Sequence, residues 1–576
     1  MELSVPKLKK PGVSVLKTNP ESLKKWVENL PLVNIELSAG RLEFGLSEIN
    51  SVELSSSDRF EALELLTAPV THVARSLKKK YLGKRFPLGK DQLGKSNQVI
   101  GLYLAMATGY KLLVVALDRE TNADARLARP MQRAIRYLSE SLIASYEIYN
   151  QHRTGIWQDL HTLYALAAKR GLQAHQETDT TLQKPDLTTV ETAYKQILLL
   201  SLASPYGLRQ SEIRLVYSLL GRWAPFSRLL AAKDHDNMGF FSCHLASDEP
   251  PSYLVLRQRD RLDDEWRILD TSGMTETANA TLTELRDKSG LRNTLPGEST
   301  LKRLMLTWGV MPERHATRRR QEAPIQLVLG INAIHRLLAE PGLGKAGAVI
   351  GETHAPDRED FLQDPTLEGP TVISTGYPAP GKTVGGGSWQ NNGAQSGGNH
   401  PLRGAFALEP QSSTADANQS LPIESWKMVD VSAGGYCLLW ESNDVSSAQV
   451  GELLAISTGA EDSKDGWTLG VIRWMKFTPE RGLVLGAQLL ACRALPVRAS
   501  LCVDTPAAEN KSLGILLPGD KSLNQQASLL LPSLLFRTGC LSTLTRGERD
   551  EKIMLVRQLE NTGSFARFHF ITVTES

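Results

Sequence analysis

The sequence predicts a multidomain α+β protein, in which a helical N-terminal domain is followed by β structure that a long insertion interrupts. The chain has 576 residues, too many for one hydrophobic core at about 100–200 residues per domain. Apolar residues recur with the helical period from about 57 to 232, and short strand-like runs between turn residues follow from about 235. Between 341 and 420 the period disappears, and this segment holds 14 of the 45 glycines and 8 of the 29 prolines.

The helical segment 57–232 is predicted to be an interaction domain, and residues 1–56 an irregular lead-in. One apolar stripe follows a single helix face through Met131, Ile135, Leu138, Leu142, Tyr146 and Tyr149. The stretch 99–117 is long enough to cross a bilayer, but Lys111 lies inside it and glycines interrupt it, so we expect a buried helix followed by a strand.

The remainder of the chain is predicted to be mostly β structure. A small β-rich module covers 235–300, and the composition of 341–420 indicates a flexible Gly/Pro-rich insertion. Strand patterns resume at 421 and continue to the end, with 496–576 assigned to a separate C-terminal β domain.

Composition excludes several classes of protein. The 65 Lys and Arg nearly balance the 63 Asp and Glu, a formal charge of +2, which argues against a protein that coats a polyanion over its whole surface. The five cysteines contain no CxxC pair, so we expect buried free thiols rather than a zinc ribbon. The N-terminal residues lack the apolar core of a signal peptide, and we expect a cytoplasmic protein.

Motifs of enzymes and metal sites are weak in this sequence. Residues 376–383, GYPAPGKT, match the phosphate-loop pattern, but the glycine-rich run that follows does not favour the helix whose N-terminus such a loop needs. No HExxH or GxSxG occurs, and the 11 histidines are not arranged at ligand spacing. We therefore expect no catalytic activity, no cofactor and no metal site.

A basic turn at 314–320, RHATRRR, is the first of two features that indicate a function. Four arginines in seven residues repel one another and favour anions, and each guanidinium can grip phosphate oxygens with two parallel hydrogen bonds. Taken alone, the run could equally be a solvated linker or an unspecific nucleic-acid patch.

The second feature is the run 430–435, DVSAGG, between two predicted strands. A carboxylate, a hydroxyl and two glycines on one turn can present acceptor, donor and open backbone to one planar ligand. The same residues are also common turn formers, so a plain β-turn is the alternative.

Together the two runs resemble the RxxxR and [D/N]xSxxG signature of PilZ domains, bacterial receptors for the second messenger cyclic di-GMP. Arg314 and Arg318 match the two arginines, and Asp430, Ser432 and Gly435 match the second motif. The resemblance implies a PilZ-like β-barrel formed by 305–340 and 421–495, in the C-terminal half only. It also implies that these five residues bind cyclic di-GMP and that the arginine segment orders around the ligand.

The sequence departs from the family pattern in that more than 100 residues separate the two motifs. Loop-closure entropy grows only logarithmically with length, so we expect the two halves of the site to meet if the insertion leaves from a loop. Arg319 and Arg320 follow the second arginine directly, so the sequence leaves open which two arginines of the run bind the ligand. The β structure after the barrel is expected to form a second small barrel.

The resulting interpretation is a bacterial cyclic di-GMP receptor without catalytic activity, whose helical domain passes the signal to a protein partner in motility, pilus or biofilm control. A first alternative is a scaffold or adaptor whose barrel binds no ligand. A second, weaker alternative is a nucleic-acid-binding protein that would need further basic surface, for which Lys7, Lys9 and Lys10 and the run Lys78 to Lys80 are the candidates.

Overall fold

The structure is a computed structural model. It describes residues 2–10, 19–179, 186–232, 241–254, 262–287, 297–309, 319–340, 421–432, 434–442, 444–457, 467–478, 480–500, 511–519 and 526–573. The insertion 341–420, with its phosphate-loop match, lies outside the described residues.

Helices dominate the N-terminal part of the chain. The helices described there are α1 (Pro20–Glu28), α2 (Ile35–Ser51), α3 (Ser56–Tyr81), α4 (Lys90–Asp118), α5 (Asp124–Glu147), α6 (Ile156–Lys169), α7 (Val190–Leu202) and α8 (Gln210–Trp223). The stripe predicted on α5 is confirmed, because Met131, Ile135, Leu138 and Leu142 are all buried. The core of this domain also takes in the fully buried rings of Trp157 and Trp223.

The prediction of an irregular lead-in over 1–56 is wrong for residues 20–51, which form α1 and α2. Each helix begins at an asparagine that serves as its N-cap. The Asn19 side chain accepts a hydrogen bond from the Ser22 backbone N–H at 2.8 Å, and Asn34 accepts one from Leu37 at 3.1 Å. These caps satisfy amides that the helix itself leaves without partners.

The expectation of a helix followed by a strand over 99–117 is also wrong, because the whole stretch lies within α4. Lys111, which faces the interior, is neutralised there by Asp159 at 2.5 Å and also donates to the backbone carbonyl of Ser4 at 2.6 Å. In the described part of the chain α4 is the one helix long and apolar enough to cross a membrane. Because 67% of its most apolar stretch is buried inside the protein, it also fits a core helix.

Two small sheets and two more helices precede the barrels in the chain. A hairpin of β1 (Gln176–Asp179) and β2 (Asp186–Thr189) lies beside the helices, and an antiparallel four-stranded sheet has the order β3-β6-β4-β5. The elements between α8 and the first barrel are β3 (Arg228–Ala231), β4 (Phe241–His244), β5 (Ser252–Tyr253), β6 (Trp266–Asp270), α9 (Ser272–Asp287) and α10 (Glu298–Gly309). The predicted β module is therefore present, but its first strand, β3, lies in the segment that the sequence assigned to helices.

The predicted barrel is confirmed as a closed sheet with the strand order β10-β11-β12-β9-β8-β7. Its elements are β7 (Arg319–Leu329), α11 (Ile331–Ala339), β8 (Ile423–Ser432), β9 (Gly435–Trp440), β10 (Leu453–Ser457), β11 (Thr468–Thr478) and β12 (Gly482–Ala491). β7 and β8 pair antiparallel along most of their length, although the insertion separates them in sequence. In the sequence the insertion lies between α11 and β8.

The C-terminal β structure closes into a second barrel, as expected, with the order β13-β14-β15-β18-β17-β16. Its strands are β13 (Leu495–Ser500), β14 (Lys511–Leu517), β15 (Ser528–Pro532), β16 (Leu541–Arg546), β17 (Arg549–Asn561) and β18 (Phe565–Thr572). Apolar residues of both barrels, among them Val328 and Ile515, share one buried cluster with α11. The expectation of free thiols is wrong for Cys540, which is disulfide-bonded, whereas Cys243 and Cys492 are free.

Candidate ligand site on the first barrel

The DVSAGG run forms a tight hairpin between β8 and β9, as predicted. Ser432, the last residue of β8, pairs with Gly435, the first of β9, and its hydroxyl donates to the Gly435 carbonyl at 3.3 Å. Asp430 lies two residues earlier on β8, so its side chain lies on the same face of the sheet as that of Ser432. Asp430 is 9% exposed, whereas Ser432 and Gly435 are half-buried.

Gly435 also has a purely structural reason to be glycine. β9 pairs with β12 so closely that a Cβ on Gly435 would overlap the backbone carbonyl oxygen of Ala487. Its neighbour Gly434 has open space where a Cβ would lie. The second glycine of the hairpin is thus required by strand packing, whether or not a ligand lies against it.

The arginine segment ends next to this hairpin. In the register of β7 and β8, Arg319 lies opposite Val431 and Arg320 opposite Asp430. Arg314 and Arg318 lie outside the described residues, but the register fixes the next residue, Arg319, at the Asp430 end of β8. The two described residues that follow the RxxxR motif, Arg319 and Arg320, are therefore neighbours of the second motif in spite of the insertion.

The positive charge of Arg320 is compensated by a neighbouring carboxylate, Glu322. Glu322 contacts Arg320 at 3.1 Å and Lys427 of β8 at 2.8 Å, and all three side chains are solvent-exposed. The hydrogen bonds from Lys427 and Arg320 lower the pKa of Glu322, and the same carboxylate raises the pKa of Lys427. Arg320 thus already has an anionic partner.

Comparison with protein families decides the identity of this barrel. A model described as "Cyclic-di-GMP receptor FimW, middle PilZ domain" matches residues 240–496, which contain both motifs and all six strands of the first barrel. The first barrel is a PilZ domain. The matched range also takes in the small β module, which the sequence analysis had placed in a domain of its own.

The rest of the chain matches models of the same receptor type. The FimW N-terminal domain matches residues 21–234, and the FimW C-terminal beta-barrel domain matches residues 505–573. A curated relative, the cyclic-di-GMP receptor FimW of Pseudomonas aeruginosa, is 28% identical over 590 aligned residues, which cover 99% of this chain and 93% of the relative. No solved structure matches the chain.

Two further residues border the PilZ hairpin and were not assigned to the site from the sequence. Gln488 of β12 lies opposite Gly435, on the same face of the sheet. Its side-chain oxygen accepts a 2.6 Å hydrogen bond from Arg473 of β11, whose guanidinium also contacts Glu560 of the second barrel at 3.2 Å. β12 pairs with β9 across about 50 residues of sequence, so the linear sequence carried no signal for Gln488.

The segment that holds the PilZ arginines is anchored on both sides. On its N-terminal side, α10 is fixed to the helical domain by Trp308, whose indole N–H donates to the backbone carbonyl of Leu199 at 3.1 Å and whose ring packs edge-on against Trp223. Thr300 of α10 also donates to Glu212 of α8. On its C-terminal side, the segment continues directly into β7 of the barrel.

The basic clusters proposed for nucleic-acid binding do not form one surface. Lys9 lies in a β-bridge with Val52, just before the start of α3, whereas the Lys78 to Lys80 run is at the other end of this 26-residue helix. At 1.5 Å per residue the two clusters are about 39 Å apart. Lys78 is also buried and paired with Glu147 at 2.9 Å.

Among the described residues, one group of side chains could hold a metal ion. The spacing of the histidines in the sequence did not indicate this group. The side chains of His244, Asp263 and Glu265 bring their ligand atoms within 4.8 Å of one another at the edge of the small sheet. Asp263 already accepts a hydrogen bond from the Glu265 backbone N–H at 2.9 Å, and both carboxylates are exposed. We assign no ion to this group.

Proposed function

We propose that the chain is a cyclic di-GMP receptor whose ligand lies on the outer face of the PilZ barrel, between the arginine segment and the β8–β9 hairpin. The register that places Arg319 and Arg320 beside Val431 and Asp430 is the observation that carries the proposal. It supports the proposal because the end of the arginine run lies beside the second motif, although more than 100 residues separate them in the sequence. The relatives of the chain are receptors rather than an enzyme class, so no catalytic step is proposed.

Arg314 and Arg318 are the arginines proposed to bind the ligand. Cyclic di-GMP carries two phosphates and two guanines, and a guanidinium can hold a phosphate or donate two hydrogen bonds to guanine O6 and N7. Arg320 is less suited to this role because Glu322 already pairs with it at 3.1 Å. This pairing favours the register in which Arg318, not Arg320, is the second gripping residue.

The hairpin is proposed to bind the other groups of the ligand. Asp430 would accept from guanine N1–H and the exocyclic amine, and the Ser432 hydroxyl would bond a phosphate or base atom. Since only 9% of Asp430 is exposed, a ligand would reach it only after its neighbours move. Gly435 would keep the hairpin flat enough for the ligand to lie against the backbone.

Signal transfer would follow from the two anchors of the arginine segment. Because α10 is fixed to the helical domain and β7 to the barrel, closing the segment around a ligand would pull these two parts together. We propose that the helical domain then acts on a protein partner in the cytoplasm, in motility, pilus or surface-attachment control. This last step is an analogy with receptors of this family.

Calorimetric titration of the full chain with cyclic di-GMP tests the proposal. We expect micromolar or tighter binding by the wild type and at least about tenfold weaker binding by Arg318→Ala, because a charge-assisted pair is lost. Arg546→Ala, which removes an exposed arginine from the second barrel, is the matched control and should bind like the wild type. Absence of binding by the wild type would favour the scaffold alternative, and equal binding by Arg318→Ala would refute the assigned site.

A further inference from the structure

Two polar side chains flank Gly435 on one face of the PilZ barrel. Gly435 of β9 pairs with Ser432 of β8 on one side and with Gln488 of β12 on the other. Residues that pair directly across strands point to the same face, and neighbouring strands are about 5 Å apart, so Ser432 and Gln488 stand about 10 Å apart across β9. Because Gly435 has no side chain, β9 fills none of the space between them.

This face is the outer one, and the second barrel packs against it. Val471 of β11, which pairs with Gln488 on its other side, belongs to the buried cluster that α11 and both barrels share. Two residues further along β11, the Arg473 guanidinium contacts Glu560 of β17 in the second barrel. The candidate ligand site and the contact between the two barrels therefore lie side by side on one surface.

Arg473 fixes the orientation of the Gln488 amide. The Arg473 Nε–H can only donate, so the Gln488 atom that it contacts at 2.6 Å is the side-chain oxygen. The NH2 group of Gln488 is thereby turned away from Arg473. Its two donors suit a phosphate oxygen or the O6 and N7 acceptors of guanine. Gln488 is half-buried, so part of its side chain can be reached from solvent.

Glu560 in turn holds Arg473. Both carboxylate oxygens of Glu560 accept from the guanidinium, one of them at 3.2 Å. The two side chains are only 17% and 22% exposed, so water competes with this pair less than on an open surface. Arg473 also lies at a break in the register of β11 with β12, an irregularity that re-aims a side chain. A continuous polar chain thus runs from the second barrel to Gln488.

We propose that Gln488 binds cyclic di-GMP by donating from its amide NH2 group, and that Glu560 is a positioning residue that orients this amide through Arg473. The inference rests on the receptor function proposed above. It adds a third strand, β12, to the ligand site, and it gives the second barrel a part in setting the affinity of a site on the first.

Calorimetric titration of the full chain with cyclic di-GMP tests the ligand contact. Gln488→Glu keeps an oxygen acceptor for Arg473 but replaces the NH2 donors with an anionic oxygen. We expect at least about tenfold weaker binding without a lower unfolding midpoint, since the contact with Arg473 becomes an ion pair. A lower affinity in this variant therefore does not come from unfolding.

Glu560→Ala tests the positioning role, because it removes both acceptors of Arg473 in the second barrel. We expect roughly three- to tenfold weaker binding in the wild-type background, and less than about twofold in the Gln488→Ala background, because Glu560 acts through Gln488. Ser564→Ala is the matched control. It breaks a different contact between the barrels, the hydrogen bond from Ser564 to Glu452, and should bind like the wild type.

The outcomes separate this inference from the receptor function. Wild-type affinity in Gln488→Glu would overturn the ligand contact, while weaker binding by Arg318→Ala would still support the receptor. An equal loss from Glu560→Ala in both backgrounds would show a general structural effect and overturn the positioning role, as would a similar loss in Ser564→Ala. Absence of binding by the wild type would overturn the receptor function and this inference together.

Discussion

Gly435 lies where strands β9 and β12 of the PilZ barrel approach too closely for a side chain. Its place in the [D/N]xSxxG pattern suggested a ligand contact, and the overlap that a Cβ would make with the Ala487 carbonyl oxygen gives a second reason that needs no ligand. Changes at this position therefore act on the fold as well as on binding. Removing the Ser432 hydroxyl is the better way to separate an effect on ligand binding from an effect on folding.

Gly435→Ala is expected to destabilise the PilZ barrel by roughly 1–3 kcal/mol, because the added carbon must displace backbone. Gly434→Ala, next to it in the hairpin, meets no atom within 4 Å and should leave the unfolding midpoint nearly unchanged. Urea unfolding followed by tryptophan fluorescence compares the two variants. Equal midpoints for both would contradict the close approach of β9 and β12.

His161 links the helical domain to the small sheet and should make stability depend on pH. Its Nε2–H donates to the Glu249 carbonyl at 2.8 Å, because a carbonyl can only accept, and its Nδ1 accepts from the Tyr194 hydroxyl at 2.6 Å. Burial lowers the pKa of His161 from 6.5 to about 4. The neutral ring is therefore the form that the fold favours.

Because the folded-state pKa is the lower one, the stability from the neutral ring is fully present above pH 6.5 and is lost as the pH falls toward 4. Over this range the free energy of unfolding of the wild type should fall by about 3 kcal/mol, and that of His161→Gln should fall by less. Denaturant midpoints measured at intervals between pH 7 and 4 test this, with the exposed His72→Gln as the control. The same pH slope in the wild type and His161→Gln would contradict it.

Among the helices and strands, the sequence was informative where a long apolar stripe had clear ends. The stripe from Met131 to Tyr149 marked α5 correctly, because its apolar residues recur on one face over several turns. α1 and α2 were missed because their signal is in the capping asparagines rather than in a strong stripe. α4 was divided wrongly because Gly109 was interpreted as a break, whereas it gives space to Leu63 within a continuous helix.

The strands and turns that form the candidate site were predictable from the sequence only in part. The turn between β8 and β9 follows from local residue types, and family resemblance suggested its partner segment. The pairing of β7 with β8 and the place of Gln488 beside Gly435 depend on strand pairing between segments far apart in the sequence, which no local pattern encodes. The site residues themselves remain predictions until binding is measured.

Deleting residues 345–418 should leave the PilZ barrel folded. β7 and β8 pair through their own backbone hydrogen bonds, and the insertion enters between α11 and β8, outside that ladder. We expect an unfolding midpoint close to that of the full chain, because closing a shorter loop changes the free energy only slightly. Loss of the folded barrel in the deletion variant, seen by circular dichroism, would show that the insertion contributes to the core.

Across the whole molecule, three parts of the chain meet at Arg209. This residue, at the start of α8, donates to the Val450 carbonyl of the PilZ barrel at 3.2 Å and to the Ser564 hydroxyl of the second barrel at 2.5 Å. The Ser564 hydroxyl donates in turn to Glu452 at 2.9 Å, a carboxyl whose pKa burial raises. The helical domain and both barrels are therefore joined by one partly buried polar network.

Arg209→Ala should separate the unfolding of the helical domain from that of the barrels. It removes hydrogen bonds to both barrels, each worth roughly 1 kcal/mol, and leaves Ser564 and Val450 without this donor. Differential scanning calorimetry should then show more widely spaced transitions than in the wild type. Arg222→Ala, an exposed arginine on the same helix, should not change the profile, and a similar change in both variants would contradict the role of this network.

The central claim is that two motifs on either side of a long insertion form one cyclic di-GMP site. Calorimetric titration of four proteins tests it most directly: the full chain, Arg318→Ala, Ser432→Ala and the variant that lacks 345–418. We expect the full chain and the deletion variant to bind with similar affinity, and each point variant to bind at least about tenfold more weakly. Undiminished binding by either point variant, or no binding by the full chain, would contradict the claim.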